Sequence, residues 1–259
     1  MRPPPAGSRQ PALLEADEIS VTFGALRALD RLSLSVDAGR LVGLIGPNGA
    51  GKTTFVDAIT GFTPHTGRLV FDAHELNGAP PRQRARAGLA RTWQSVELFD
   101  DLTVAENLEA VAHRQSVRSL LLDLVWPRRT RDRTAVEYAL EAVGATDLAD
   151  RQPRELSHGQ RTLIGVARAI ALSPLLICMD EPAAGLDTTE SETLGQRLRG
   201  IVDRGTSILL IDHDMGLVLN WCDEIYVIEF GALIARGSPA QIRSDTRVIE
   251  AYLGTGVHG

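Results

Sequence analysis

The spacing of apolar residues changes along the chain, and near the amino terminus it has the two-residue period of β-strands. Residues 19–23 alternate apolar and polar side chains, and residues 32–36 repeat that alternation. Alternation over such lengths predicts half-buried strands. Residues 67–73 predict another short strand. We therefore expect an antiparallel β region in the first third of the chain.

Continuous apolar runs predict a second, buried sheet. The runs are Leu41–Ile45, Leu175–Asp180 and Ser207–Asp212. Residues 190–204 lie between the last two runs and predict a crossover helix. A strand, a helix and a strand in this order predict a parallel sheet. Residues 224–230 and 232–235 flank Gly231 and predict a terminal hairpin.

The middle of the chain, from about residue 80 to 174, has a different pattern. It lacks the alternation of strands and carries helical stretches at residues 104–113 and 134–143. We interpret it as a mostly helical subdomain inserted into the core. Residues 1–14 contain arginines and prolines but no apolar core of a signal peptide, which predicts a disordered leader. The predicted fold is α/β: residues 15–259 form one domain with a parallel sheet, an antiparallel β subdomain and the helical insertion.

Composition narrows the class of protein. The 259 residues have a formal net charge of −6, and the pI of about 5.6 argues against broad nucleic-acid binding. No apolar run reaches the roughly 18 residues of a membrane span. Cys178 and Cys222 sit in or beside apolar runs without metal-ligand spacing, so we interpret both as core thiols of a cytosolic protein.

The clearest chemical motif is Gly46–Thr53, which reads Gly-Pro-Asn-Gly-Ala-Gly-Lys-Thr and fits the phosphate-binding loop pattern. It follows the predicted strand 41–45 and precedes a short predicted helix that ends at Gly61. Backbone N–H groups of the loop and the helix N-terminus attract phosphate. We expect Lys52 to reach the β- and γ-phosphates and the Thr53 hydroxyl to bind Mg²⁺. The alternative is a glycine turn with a chance lysine, and the correct flanks argue against it.

Two further segments carry polar groups suited to this chemistry. Asp180 and Glu181 follow a predicted buried strand, where Asp180 is expected to hold Mg²⁺ through water and Glu181 to accept a proton from an attacking water. Alone they would equally suit two solvated acids at a strand end. Ser157 is a good N-cap, and Gly159 leaves backbone free to approach an anion. By propensity alone, an ordinary capped helix is the simpler interpretation there.

Six stretches in a fixed order resemble the motif set of ABC-type ATPases over about residues 17–253. They are the Walker A loop Gly46–Thr53, the Q-loop Gln94, the signature Leu156–Gln160, the Walker B pair Asp180–Glu181, the D-loop Gly185–Asp187 and the switch histidine His213. One departure is His158, where the commonest signature has glycine.

The resemblance implies an enzyme that binds and hydrolyses ATP with Mg²⁺ as cofactor. It implies nucleotide contacts from loop residues Gly46, Asn48, Gly49, Gly51, Lys52, Thr53 and Thr54. Gln94 would join Thr53 and Asp180 at Mg²⁺, and His213 would sense the γ-phosphate beside the catalytic Glu181. Phe23 resembles the aromatic residue that stacks on adenine. A plain strand core residue is the alternative for Phe23.

The resemblance also implies partners. ABC ATPase domains pair head to tail, so Ser157, Gly159, Gln160 and Asp187 would serve the nucleotide of a second ATPase subunit. One phosphate loop and one signature make this chain half of such a pair, and a separate chain would be the transmembrane permease. That arrangement is typical of prokaryotic importers. It implies a peripheral position on the cytoplasmic membrane face, an indirect solute-binding partner and no nucleic acid.

Residues 88–94, 98–108, 181–187 and 251–254 resemble the ATPase subunits of branched-chain amino acid importers. Residues 113–133 fit an extra stretch of one subunit type, which would contact the permease or bilayer surface or form a solvated helical hairpin. The alternatives are the ATPase of a urea or amide importer, a lipid exporter ATPase, a non-hydrolysing ATP-gated protein, and a soluble ABC ATPase acting on nucleic acid.

Overall fold

The computed structural model describes residues 11–92, 98–112 and 129–253. The strands are β1 (Leu14–Phe23), β2 (Leu26–Val36), β3 (Leu41–Ile45), β4 (Thr66–Phe71), β5 (His74–Glu75), β6 (Leu89–Arg91), β7 (Leu176–Asp180), β8 (Ser207–Ile211), β9 (Glu224–Glu229) and β10 (Ala232–Gly237). The α-helices are α1 (Lys52–Thr60), α2 (Pro81–Ala87), α3 (Val104–Ala112), α4 (Arg129–Val143), α5 (His158–Ile170), α6 (Thr188–Asp203), α7 (Met215–Trp221), α8 (Pro239–Ser244) and α9 (Thr246–Leu253).

An antiparallel sheet carries the alternating segments of the first third. Its four strands lie in the order β2-β1-β4-β5. Ile19 on β1 and Leu32 on β2 are opposite one another and completely buried, as their alternation with polar neighbours predicts. The predicted antiparallel β region is thus present in the structure.

The second sheet has six strands in the order β10-β9-β3-β8-β7-β6. Every neighbouring pair from β9 to β6 is parallel, and β10 forms an antiparallel hairpin with β9. The predicted parallel sheet and terminal hairpin are therefore both present. Because the strands are parallel, the carboxyl ends of β3, β6, β7 and β8 meet at one edge, where open α/β sheets carry their ligand sites.

The buried strands of this sheet divide their side chains between two apolar cores. On β3, Leu41 and Ile45 enter one core, which also contains apolar residues of α3 to α7, whereas Leu44 enters the other, with α1 and the antiparallel sheet. Strands covered on both faces need apolar residues at every position. This requirement explains why the sequence shows continuous runs here and not alternation.

Residues 80–174 differ in detail from the sequence interpretation. Helices α3, α4 and α5 contact one another, but Leu89–Arg91 forms the short strand β6 beside β7. Three residues are too few for periodicity to reveal a strand. At the amino terminus, Leu14 begins β1 and Leu13 is buried, so these two residues of the predicted leader belong to the folded chain. Residues 1–10 lie outside the described residues.

Candidate functional site

The phosphate loop connects β3 to α1 and passes close to neighbouring backbone. A Cβ on Gly46 would lie 2.0 Å from the carbonyl oxygen of Ile228, and one on Gly51 would lie 2.7 Å from that of Ala28. Only glycine fits such approaches. Gly51, with a φ of 103°, is the N-cap of α1, and the helix begins at Lys52. The loop therefore brings backbone N–H groups and a helix N-terminus to the carboxyl edge of the sheet.

Lys52 folds back into this loop. It is 6% exposed, and its Nζ donates to the carbonyl oxygens of Gly46 at 2.8 Å and Pro47 at 3.0 Å. Burial lowers the pKa of Lys52, and the negative charges of Glu181 and Asp180 oppose that shift. The ammonium thus lies against the loop, and the carboxylates at the end of β7 stabilise its charge.

The carboxylate of Asp180 lies beside the phosphate loop. It is 2% exposed, and its Oδ1 accepts a hydrogen bond from the Thr53 hydroxyl at 3.4 Å. Its Oδ2 accepts from Arg91 Nη2 at 3.3 Å. Burial raises the pKa of Asp180, whereas the Thr53 hydrogen bond and the Arg91 charge act to lower it. A hydroxyl and a carboxylate oxygen together are donors that suit a hard divalent cation.

Glu181 leaves the end of β7 in a constrained turn. Its φ is 51°, and its backbone N–H donates to the carbonyl oxygen of Ile211 on the neighbouring strand at 2.7 Å. A left-handed conformation is unfavourable for a residue with a Cβ, and such residues cluster at functional sites. The turn continues with a hydrogen bond from Ala184 N to the Glu181 carbonyl oxygen at 3.1 Å.

Asp212 joins the ends of β7 and β8. It is completely buried, and its two carboxylate oxygens accept from the backbone N–H groups of Ala183 and Asp214, both at 2.9 Å. Burial raises the pKa of Asp212, and these two N–H groups oppose the shift. The His213 Nδ1 lies 3.8 Å from Asp212 Oδ1, and its side chain is 60% exposed. Asp212 therefore anchors the turn after Glu181 and the segment that carries His213.

The signature segment begins α5. The Ser157 hydroxyl accepts from Gln160 N at 3.2 Å, and the Gln160 side chain accepts from Ser157 N at 2.9 Å, which completes a capping box. His158 Nε2 is 2.8 Å from the carbonyl oxygen of Ala184 in the segment after β7. The residue that departs from the commonest signature thus joins the start of α5 to that segment.

The D-loop residue Asp187 has a comparable local role at α6. Its Oδ1 accepts from Glu190 N at 2.8 Å, and Glu190 Oε2 accepts from Asp187 N at 3.2 Å. A Cβ on Gly159 would lie 2.8 Å from Glu190 Oε1. A side chain at position 159 would therefore displace the end of the Glu190 side chain, which completes the capping box of α6.

The remaining predicted site residues differ in what the structure describes. Phe23 ends β1 and is 53% exposed, so the alternative of a strand core residue is wrong. Asn48 and Gly49 are exposed at the loop, Thr53 is exposed and Thr54 is half-buried at the start of α1. Gln94 lies outside the described residues, as does most of the 113–133 stretch.

Sequence reasoning missed three charged residues that the structure brings to this edge. Arg91, at the end of β6, forms ion pairs with Asp57 of α1 and with Asp180. The third is Asp212. Asp212 had a detectable signal, because it ends a buried apolar run in the same way as Asp180. Arg91 and Asp57 had none, because a charged residue in a strand or helix is ordinarily solvated.

Among the described residues, no three His, Cys, Asp or Glu side chains form a metal-binding group. Within residues 11–92, 98–112 and 129–253, no helix is long and apolar enough to cross a membrane.

Comparison with known proteins identifies relatives along almost the whole chain. Residues 29–184 match the family described as ABC transporter, and residues 232–258 match the family described as branched-chain amino acid ATP-binding cassette transporter. The high-affinity branched-chain amino acid transport ATP-binding protein BraF of Pseudomonas aeruginosa is 40% identical over 249 residues, which cover 93% of this chain and 98% of BraF. The high-affinity branched-chain amino acid transport ATP-binding protein LivG of Escherichia coli is 39% identical over 250 residues, which cover 93% of this chain and 98% of LivG.

Solved structures of ATP-binding cassettes are also similar to this chain. The chain is similar to the crystal structure of the ADP conformation of an ATP-binding cassette of an ABC transporter, with a TM-score of 0.82 and 32% identity. The match covers 94% of this chain and 99% of that one. The α/β fold predicted from the apolar pattern and the resemblance to ABC-type ATPases are thereby confirmed.

Proposed function

Because the chain belongs to the ABC transporter family, we propose that it is the ATP-hydrolysing subunit of an importer for branched-chain amino acids. The relatives BraF and LivG are named for that transport, and the carboxyl-terminal match at residues 232–258 is to a family with the same solute in its name. The chain covers 98% of both relatives, so the similarity extends over whole subunits. Family membership carries the assignment as a transport ATPase.

The observation that carries the chemistry is the meeting of the phosphate loop with Asp180. The loop residues fit a nucleotide, because Gly46 and Gly51 keep side chains away from a strand-to-helix turn whose N–H groups and helix end attract phosphate. Lys52 supplies a buried positive charge in the same loop. A small shift of its Nζ from the Gly46 and Pro47 carbonyl oxygens would bring that charge to the β- and γ-phosphates.

The donor set also fits Mg²⁺. Nucleotide-bound Mg²⁺ usually has one or two protein ligands, with phosphate and water oxygens completing the octahedron. Thr53 Oγ1 would supply a direct hydroxyl ligand, and Asp180 Oδ1, which is 3.4 Å from it, would be an outer ligand that holds the cation through water. When bound there, Mg²⁺ would neutralise charge on the phosphates. Gln94 is a proposed further ligand from outside the described residues.

We assign the proton transfer to Glu181. Its position directly after Asp180, in a turn held by Ile211 and Asp212, fixes its backbone at the same edge of the sheet. The carboxylate would accept a proton from the water that attacks the γ-phosphorus. His213 would contact the γ-phosphate and Phe23 would stack on adenine; the exposure of both side chains leaves them accessible to a ligand.

The second half of the site would come from a partner subunit. Ser157, Gly159, Gln160 and Asp187 lie together where α5 and α6 begin, and we propose that they face the nucleotide of the other ATPase subunit. A solved structure with a similar fold and 22% sequence identity is a dimeric ATP-binding cassette bound to ADP and phosphate. Permease subunits would hold the pair at the cytoplasmic membrane face, and a solute-binding protein would deliver the amino acid.

Uptake measurements test the solute. Deleting the gene for this chain should abolish uptake of labelled leucine, and the wild-type gene should restore it. The Lys52→Ala variant should not restore it, because the subunit would no longer hold the phosphates. Unchanged leucine uptake with lost urea or acetamide uptake would overturn the solute assignment and leave the assignment as a transport ATPase intact.

A further inference from the structure

Arg91 lies where the two proposed protein ligands of Mg²⁺ are held together. It is the last residue of β6, and its side chain is 8% exposed. Its Nη1 pairs with Asp57 Oδ1, and its Nη2 lies 3.3 Å from Asp180 Oδ2. One guanidinium therefore bridges helix α1 and the end of strand β7.

The position of Asp57 makes this bridge specific. Asp57 follows Thr53 by four residues on α1, which is about one helical turn, so the two side chains lie on the same side of the helix. Arg91 thereby restrains the helix that carries Thr53 and the strand that carries Asp180 at the same time. Thr53 Oγ1 contacts the other carboxylate oxygen, Asp180 Oδ1. The two oxygens of Asp180 are thus engaged in two different directions.

Electrostatics gives a reason for an arginine at this position. Asp180, Glu181 and Asp57 concentrate negative charge at a largely buried edge, and an unpaired buried carboxylate is costly. A planar guanidinium can bond two carboxylates through separate nitrogens, whereas a lysine ammonium is a point charge on a flexible stem. The bridge requires that fork geometry.

We propose that Arg91 is a positioning residue for Mg²⁺–ATP binding, which fixes Asp180 and, through Asp57, the Thr53 helix at the separation that the cation needs. The inference rests on the proposed assignment of Thr53 and Asp180 as Mg²⁺ ligands. In this role Arg91 acts through Asp180 and Asp57 and not through a contact of its own with the nucleotide or the cation. Its effect is therefore expected only in binding that depends on Mg²⁺.

The test compares binding of a fluorescent ATP analogue to the purified chain in Mg²⁺ and in EDTA. In EDTA, Arg91→Met should bind within about twofold of wild type, because the loop N–H groups and Lys52 are unchanged. In Mg²⁺, its affinity should be lower by about tenfold, the scale of one lost charge-assisted contact. Arg91→Lys should fall between Met and wild type, because an ammonium can reach one carboxylate but not bridge both.

Two further variants separate positioning from stability. Arg84→Met is a matched control: Arg84 is 3% exposed and donates to the α1 carbonyl oxygens of Ala58 and Ile59 but to neither carboxylate. It should lower the urea midpoint and leave the ratio of Mg²⁺ to EDTA affinity unchanged. The double variant Asp57→Asn/Arg91→Met removes both charges of one pair, so it should regain part of the stability without regaining the Mg²⁺ effect.

The outcomes distinguish this inference from the proposed function. If Asp180→Asn abolishes the Mg²⁺ effect while Arg91→Met and Arg91→Lys retain it, the positioning role is wrong and the ligand assignment stands. If Asp180→Asn retains the effect, the ligand assignment itself fails. Recovery of Mg²⁺ affinity together with stability in the double variant would leave Arg91 a purely structural role. If Arg91→Met does not fold, Arg91→Lys decides by the same ratio.

Discussion

Replacing Asp187 separates the local role of this residue from its proposed role across the subunit interface. Its carboxylate accepts from Glu190 N at 2.8 Å and caps the 16-residue helix α6, while Glu190 returns a hydrogen bond to Asp187 N. Asp187→Ala removes the acceptor and the negative charge at the helix N-terminus. Asp187→Ser keeps an acceptor of the right length and removes only the charge.

The magnitudes follow from these contacts. Loss of a cap costs about 1 kcal/mol, within a range of roughly 0.5–2, and loss of the charge–dipole interaction costs about 0.3–1 kcal/mol. The Ala variant should therefore lose about 1.5–2 kcal/mol. At about 2–4 °C per kcal/mol for a domain near this size, its Tm should fall by about 3–8 °C. Asp187→Ser loses only the charge contribution, and its Tm should fall by about 1–4 °C.

Thermal unfolding of both variants checks the cap, and steady-state hydrolysis by the assembled transporter checks the interface. If the carboxylate serves the partner's nucleotide, both variants should hydrolyse ATP slowly although Asp187→Ser is nearly as stable as wild type. Equal Tm values for Ala and Ser would refute the reasoning from the cap. Normal hydrolysis by Asp187→Ser would remove Asp187 from the interface site and leave it a structural residue.

Three further predictions concern the chemistry and the core. Glu181→Gln should bind ATP normally and hydrolyse it about 10²–10⁴-fold more slowly, as measured by phosphate release, and wild-type turnover would exclude it as the general base. Ser157→Arg should spare ATP binding to the single chain but abolish hydrolysis by the assembled pair. Lys52→Ala should weaken ATP binding itself. Equal loss of ATP binding in both variants would contradict a site shared between subunits. Burial raises the pKa of both Cys178 and Cys222 to about 12, so the folded state favours their neutral thiols. The stability that the neutral thiols contribute is present below the unfolded pKa of about 8.5–9 and is lost as pH rises toward 12. Iodoacetamide at pH 8 should therefore label both cysteines only after unfolding. Rapid labelling of the native protein would contradict their burial.

Much of the fold could be predicted from the sequence because the residues that determine each element are close together in the chain. The phosphate loop occupies consecutive residues, and its glycines are required by the turn between a strand and a helix. The buried strands β3, β7 and β8 are detectable in the sequence as continuous apolar runs, because both faces of each strand are covered. The N-cap Ser157 was predicted because its partner, Gln160, is only three residues away. Asp187 caps α6 at the same spacing, although it was named only as a D-loop residue.

Other features depended on contacts between residues distant in the chain. Phe23 alternates like a core residue, yet its position at the end of β1 leaves it 53% exposed. Strand β6 has three residues, and its place in the sheet comes from pairing with β7, more than 80 positions later in sequence, as Leu89 faces Leu176. Such pairing energy arises between strands, so no local pattern carries it.

The sequence by itself determined that the chain is an ABC ATPase and which residues were candidates for its site, because each motif is a short segment with its own chemistry. Tertiary structure alone decided that Arg91 bridges Asp57 and Asp180, and that Asp212 anchors the turn after Glu181. These side chains are of types that usually lie in solvent. They bridge and anchor the site only because the parallel sheet brings the ends of its strands to one edge. Burial at that edge converts charges that water would screen into interactions that orient the site.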